Sequence, residues 1–169
     1  RDAPGKERYL PDSDPSKTML GEAQWAWLAQ QLQTPADLRL IVSGVQMVVE
    51  GHGWEGWHNL PLEQAKLRQL IQRTGAKGVV LLSGDRHIGA IYKSTSPNLY
   101  PLYEMTSSGM THAWQDAKEA GPNRIGNLVT QNHFALIELD WQQQQMRWGF
   151  KNTQDEWLKQ ERIALAELQ

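Results

Sequence analysis

The stretch Gly78-Val79-Val80-Leu81-Leu82-Ser83-Gly84-Asp85-Arg86-His87 decides the fold of this chain. Its apolar run, residues 79–82, is short, continuous and half β-branched, with a glycine close to either end. Such a run is typical of a strand buried on both faces, as in the middle of a parallel sheet. In open α/β sheets, ligands lie at the carboxyl ends of the strands. The acid, base and imidazole that follow this run therefore stand where a site is expected.

Asp85 and His87 are the candidate metal ligands. They are two residues apart, so their side chains point to the same side if the segment is extended. A carboxylate oxygen and an imidazole nitrogen presented together suit a borderline divalent cation such as zinc, iron or manganese. The triplet alone leaves an alternative open, a strand-end turn in which Asp85 caps a backbone amide and His87 is solvated.

Composition excludes several classes of protein. The chain has 169 residues, enough for one ordinary domain. Its 17 basic and 19 acidic residues form no basic stripe, so no nucleic acid is expected as a stable partner. Cysteine is absent, which rules out disulfides and thiolate metal sites. No apolar run reaches the length of a membrane span.

The order of predicted elements indicates an α/β domain. Residues 1–19 are predicted to be an irregular lead-in, because proline, glycine and aspartate are spread through them. A helix is expected from Leu20, since Trp25, Leu28 and Leu32 recur at the spacing of a buried helical stripe.

A strand, a helix and the central strand then follow. The strand is predicted over residues 38–45 and the helix over 61–73, with Pro61 at its first position, where a missing N–H costs nothing. Strand, helix, strand is a βαβ unit with parallel pairing. The intervening loop, residues 51–59, contains three glycines, two tryptophans and two histidines. We expect this Gly-Trp loop beside the Asp-Arg-His triplet, because both follow neighbouring parallel strands.

The rest of the chain favours β-structure. Strands are predicted at residues 90–93, 100–106, 126–140 and 146–152, with a polar hairpin turn at 142–145. Residues 157–168 allow a helix or a strand, and we favour a final strand. Parallel pairing first and antiparallel pairing later predicts a mixed sheet with a β-rich C-terminal tail.

Several stretches, taken in order, resemble the PhoD-like (alkaline phosphatase D) branch of the calcineurin-like metallophosphatases. The similar stretches are residues 20–28 (its L-G-x-x-Q-x-x-W-L helix), 40–46 (I-x-S-G-x-Q), 54–57 (W-D-G-[YW], with Glu55 in place of the aspartate), 81–87 (L-S-G-D-x-H), 103–108 (E-x-T-S-S) and 132–139 (N-[FY]-G-L-I-E-[IL]). Each motif is short, but their order and spacing together are specific.

The resemblance implies the C-terminal part of a four-layer α/β/β/α sandwich around a multi-metal site. It implies a phosphomonoesterase or phosphodiesterase that uses iron, calcium, manganese or zinc, in a secreted or periplasmic location. Asp85 and His87 match the family's last metal-binding motif, while its earlier metal motifs precede the matched region. Residues 1–169 are therefore expected to form a single partial domain that carries one corner of the site. Its expected partners are a phosphate ester and the missing N-terminal half.

The remaining candidate residues surround that corner. His87 and His52 are the candidate catalytic residues, with His52 as a general acid for the leaving group. Arg86 is predicted to bind a phosphate oxygen through its planar guanidinium, and Trp54 and Trp57 to wall the substrate pocket. The alternatives are a surface salt bridge for Arg86, a solvated loop position for His52 and cover of the sheet edge for the tryptophans.

Two other functions stay open. The first is a non-catalytic, truncated or degenerate fragment with a structural or regulatory role. The second is a carbohydrate-binding domain, which the eight tryptophans suggest. The predicted βαβ core argues against the second, because such modules are usually all-β.

Overall fold

The central apolar run forms a strand in the computed structural model, which describes residues 9–119 and 121–169. In chain order the elements are α1 (Gly21–Gln33), β1 (Arg39–Val42), α2 (Pro61–Thr74), β2 (Val79–Ser83), β3 (Gly89–Ser96), β4 (Leu99–Ser107), β5 (Arg124–Val129), β6 (Phe134–Asp140), β7 (Gln145–Lys151) and β8 (Trp157–Ala164). Short 3₁₀ turns cover Trp57–Asn59 and Leu165–Leu168. The β-rich tail and the final strand are confirmed.

Strand β2 lies inside a five-stranded mixed sheet with the order β1-β2-β4-β3-β5. It pairs in parallel with β1 on one side and with β4 on the other, while β3 is antiparallel to β4 and β5. Val79, Val80 and Leu81 are fully buried. The predicted buried strand and the βαβ unit β1-α2-β2 are therefore confirmed.

The two faces of β2 contact different layers. Val79 and Leu81 pack against both helices, through a cluster that includes Trp25, Leu28, Leu67 and Ile71. Val80 faces the other way, toward a second, antiparallel sheet with the order β6-β7-β8. This sheet contributes Met146, Trp148 and Phe150 to the shared core. Because side chains alternate along a strand, β2 joins a helical layer to two stacked sheets.

Residues 126–140, predicted as one strand, form two strands in different sheets. β5 ends at Val129 and pairs with β3, whereas β6 begins at Phe134 and pairs with β7. The connection at residues 130–133 crosses between the layers. The four residues of the connection are all polar, so the sequence does mark this break, although both strands bury side chains in the same inter-sheet core.

The segments around the first strand also differ from prediction. β1 ends at Val42, although residues 46–49 remain buried. Their backbone is bonded instead to a side chain of β4, as described below. Residues 9–20 contain no helix or strand, and residues 1–8 of the predicted lead-in lie outside the described residues. No helix in residues 9–119 or 121–169 is long and apolar enough to cross a membrane.

Candidate functional site

The Asp-Arg-His triplet forms a tight turn at the carboxyl end of β2. Asp85 and His87 have φ angles of 69° and 54°, in the left-handed region that non-glycine residues rarely adopt. The sequence analysis reasoned from an extended segment. The structure shows a turn instead. Both side chains are nevertheless exposed, and Arg86 between them is buried. The turn thus presents the two predicted metal ligands to the outside and a cation to the inside.

Hydrogen bonds from the segment after β4 hold this turn. The backbone N–H of His87 donates to Ser108 Oγ at 2.8 Å. The His87 carbonyl oxygen accepts the N–H of Trp114 at 2.7 Å. Because β4 runs parallel to β2, its carboxyl end lies at the same edge of the sheet, which places these partners beside the turn.

Arg86 joins three segments of the chain. Its guanidinium forms an ion pair with Glu119, and both side chains are almost fully buried. It also lies over two indole rings, 5.0 Å from the centroid of Trp54 and 6.0 Å from that of Trp114. Burial lowers the pKa of Arg86. A buried cation requires a partner, and Glu119 supplies it here. The role of Arg86 as a phosphate ligand stays a prediction.

The Gly-Trp loop lies beside the triplet, as predicted, through the Trp54–Arg86 contact. Within this loop the rings of His52 and His58 meet edge to face, with centroids 4.9 Å apart. Nδ1 of His52 accepts the backbone N–H of Trp54 at 3.0 Å. Burial, with smaller effects from the charges of Arg86 and His58, lowers the pKa of His52 to about 3. The ring is therefore neutral at pH 7 and a weak base, whereas the predicted general acid must carry a proton that it can donate.

The two loop tryptophans have different surroundings. Trp57 is 3% exposed, packs edge-on against Trp25 and donates its indole N–H to Ser43 Oγ. It therefore has almost no surface to offer a substrate, and its role as a pocket wall stays a prediction that this burial does not favour. Trp54 is partly exposed and contacts Arg86, and its role as a pocket wall stays a prediction.

The sequence analysis missed His112. Its ring lies 5.1 Å from that of His87, centroid to centroid, with the ring planes at 89°. Both histidines are exposed. The argument that placed the Gly-Trp loop beside the triplet could also have found His112. Segments that follow neighbouring parallel strands meet at one edge, and β4 is such a neighbour of β2.

Glu104 is a second residue whose role the sequence did not reveal. Its fully buried carboxylate accepts the backbone N–H groups of Met47 and Val48 at 2.8 and 2.7 Å. Burial raises its pKa, against the effect of these hydrogen bonds. Gln46 adds a bond from Nε2 to Thr106 Oγ1 at 2.9 Å. Strand β4, which carries the E-x-T motif, thus holds residues 46–48 in place through side-chain hydrogen bonds, and these residues lead into the Gly-Trp loop.

The exposed side chains at this edge suit part of a metal site. Asp85 offers a carboxylate, and His87 and His112 offer imidazoles, which are ligands of zinc, iron and manganese in proteins. Within the described residues, no three side chains of the ligating types come together as a complete metal centre. The donors present fit a metal ion chemically, and further ligands would be needed to hold it firmly.

The layered fold is consistent with a partial metallophosphatase-like domain. A family profile described as PhoD-like phosphatase matches residues 2–155. The chain therefore belongs to the PhoD-like phosphatase family.

Among solved structures, the chain is similar to one titled "Structure of PhoD", with 18% sequence identity and a TM-score of 0.65. The match covers 83% of this chain and 31% of that chain, so the present chain spans about a third of the length of that relative. A search of curated protein sequences gives no significant match.

Proposed function

We propose that this chain forms part of a metal-dependent phosphoesterase that hydrolyses phosphomonoesters or phosphodiesters. One observation carries the proposal. In a chain of the PhoD-like family, Asp85 and His87 stand exposed at the carboxyl end of the central parallel strand β2. Strand ends of this kind are where α/β enzymes bind their ligands.

The residues of this chain would hold and orient the metal. When bound, a metal ion in such a site polarises phosphoryl oxygens and supplies hydroxide at neutral pH. Asp85 and His87 would ligate it from the turn. The Arg86–Trp54 contact would keep that turn against the Gly-Trp loop, and the Arg86–Glu119 ion pair would hold it to the segment after β4. His52 lies in the same loop, and its role toward the leaving group stays a prediction.

The chain would supply one corner of the site. A stable metal centre takes three or four protein ligands, more than Asp85 and His87 provide. The edge strand β1 exposes Leu40 and Val42, at 47% and 74%. Val42 also lines an apolar cleft of about 600 Å³, whose far side is formed by β6. We propose that another part of the same domain packs against this edge and brings the remaining ligands, which is consistent with the greater length of the PhoD structure.

The carbohydrate-binding alternative is not supported. Helices cover one face of a mixed sheet, so the domain is not all-β. Trp25, Trp57 and Trp148 are buried in the core rather than displayed as a sugar platform. The non-catalytic alternative remains distinct from our proposal and is addressed by the following experiment.

Activity should be compared between the 169-residue chain and a complete protein that contains it. We expect the complete protein to hydrolyse a nitrophenyl phosphate monoester or diester and to lose that activity to a chelator. The isolated chain should bind divalent metal weakly and show no turnover. Metal-dependent turnover by the chain alone would contradict the partial site. A complete protein without any phosphoesterase activity would favour the non-catalytic alternative.

A further inference from the structure

The exposed pair His87–His112 carries an inference that rests on the proposed function and extends it. We propose that His112 is a further ligand of the metal ion held by His87. The two imidazoles would select a zinc-like transition-metal ion at this position. Imidazole nitrogen is a common ligand of zinc, iron and manganese, whereas calcium takes oxygen ligands.

The separation of the two rings fits one shared ion. Their centroids are 5.1 Å apart and their planes are perpendicular. When two imidazoles bind one zinc ion tetrahedrally at Zn–N distances of about 2.1 Å, their ring centroids lie about 5 Å apart. Both side chains are exposed, so rotation about the side-chain bonds can direct a nitrogen of each at the same point.

The backbone that carries the two histidines is already fixed. The His87 N–H donates to Ser108 Oγ, and the His87 carbonyl oxygen accepts the N–H of Trp114. These two bonds bracket His112 in sequence and tie its segment to the turn on both sides. The pair is therefore organised before any ion binds, which lowers the entropy cost of binding.

The charges around the pair favour a cation on its open side. Asp85, an exposed carboxylate, belongs to the same turn as His87. Arg86, the cation of the same turn, is buried in the protein and is paired with Glu119. The other histidine pair in this region, His52–His58, lies instead where the charge of Arg86 acts on both rings.

Zinc titration of the 169-residue chain, followed through the histidine ring signals in NMR, tests the proposal. We expect the signals of His87 and His112 to move together with a single dissociation constant, and calcium to move neither. His112→Ala and His112→Gln should each weaken zinc binding at least about tenfold. Thr111→Ala, an exposed neighbour without a donor ring, should leave the affinity unchanged.

Three results would overturn the proposal: movement of the His87 signal alone, unchanged affinity in both His112 variants, or no shift of either ring at millimolar zinc. The readout needs no substrate, so it separates this inference from the proposed function. An inactive complete protein whose two histidines still share zinc would refute the function only. A complete protein that is active and keeps its metal in the His112→Ala variant would refute only the assignment of His112 as a ligand.

Discussion

The two histidine pairs beside the Asp-Arg-His turn have almost the same geometry in opposite surroundings. His52 and His58 meet at 4.9 Å, and His87 and His112 meet at 5.1 Å, each with perpendicular rings. The first pair is half-buried in the Gly-Trp loop, where burial lowers the pKa of both rings, whereas the second is exposed. Ring geometry alone therefore does not assign a function to a histidine pair. Burial and neighbouring charge do.

Arg86 is the residue between the two environments, and its removal should have the largest effect. Arg86→Ala leaves Glu119 buried without its cation, which costs about 3–5 kcal/mol in the free energy of unfolding. Urea denaturation measures this loss. Lys17→Ala is the matched control, because its ion pair with Asp12 is exposed and such pairs contribute little to stability. A loss below 1 kcal/mol in Arg86→Ala would show that the ion pair does not hold the turn.

The two pairs should also differ in catalysis. In the complete protein we expect His87→Ala to lower kcat/KM for a nitrophenyl phosphate ester at least about 100-fold, because a direct ligand should matter more than an outer-shell residue, whose loss costs about 10–100-fold. We expect His52→Ala to lower it less, since a ring neutral at pH 7 donates no proton there. An unchanged kcat/KM in His87→Ala would show that the Asp-Arg-His triplet is only a structural turn. Equal losses of kcat/KM in the two variants would show that His52 contributes as much to catalysis as the proposed metal ligand His87.

The half-buried histidine pair, through His52, should make the stability of the chain depend on pH. The pKa of His52 is lowered to about 3, against about 6.5 for an unfolded histidine. Between these values the unfolded chain binds a proton that the folded chain does not, so stability falls as the pH drops from about 6.5 toward 3. The slope is at most about 1.4 kcal/mol per pH unit for one proton.

Urea denaturation at pH 7, 6 and 5 should show this loss for the unmodified chain and a shallower slope for His52→Gln. Gln115→Ala, an exposed substitution that removes no titratable group, should keep the original slope. An unchanged slope in His52→Gln would mean that the ring is solvated and that the loop is more open than described.

The central architecture was predictable because it follows local patterns. The apolar run of β2 and the helical stripe of Trp25, Leu28 and Leu32 each appear in a few consecutive residues, and all are buried as expected. Alternation along β2 then distributes its side chains between the helices and the second sheet. Such features need no knowledge of distant segments.

The site was less predictable because distant segments create it. The left-handed backbone of His87 is fixed by bonds with Ser108 and Trp114, and the burial of Arg86 depends on Trp54 and Glu119. These contacts arise because β4 inserts between β2 and β3 and runs parallel to β2. The sequence analysis predicted an antiparallel continuation after His87, so it did not recognise β4 as the parallel neighbour that brings His112 to the turn.

The exposed edge of β1 has a consequence for handling the protein. Within the described residues β1 pairs only with β2, so its outer backbone groups and its exposed Leu40 and Val42 are available to another strand. An unprotected apolar edge is a template for intermolecular strand pairing. Prepared by itself, the chain should self-associate with rising concentration, and a charged residue in place of Val42 should keep it dispersed. That substitution would provide a monomeric sample for the metal titrations.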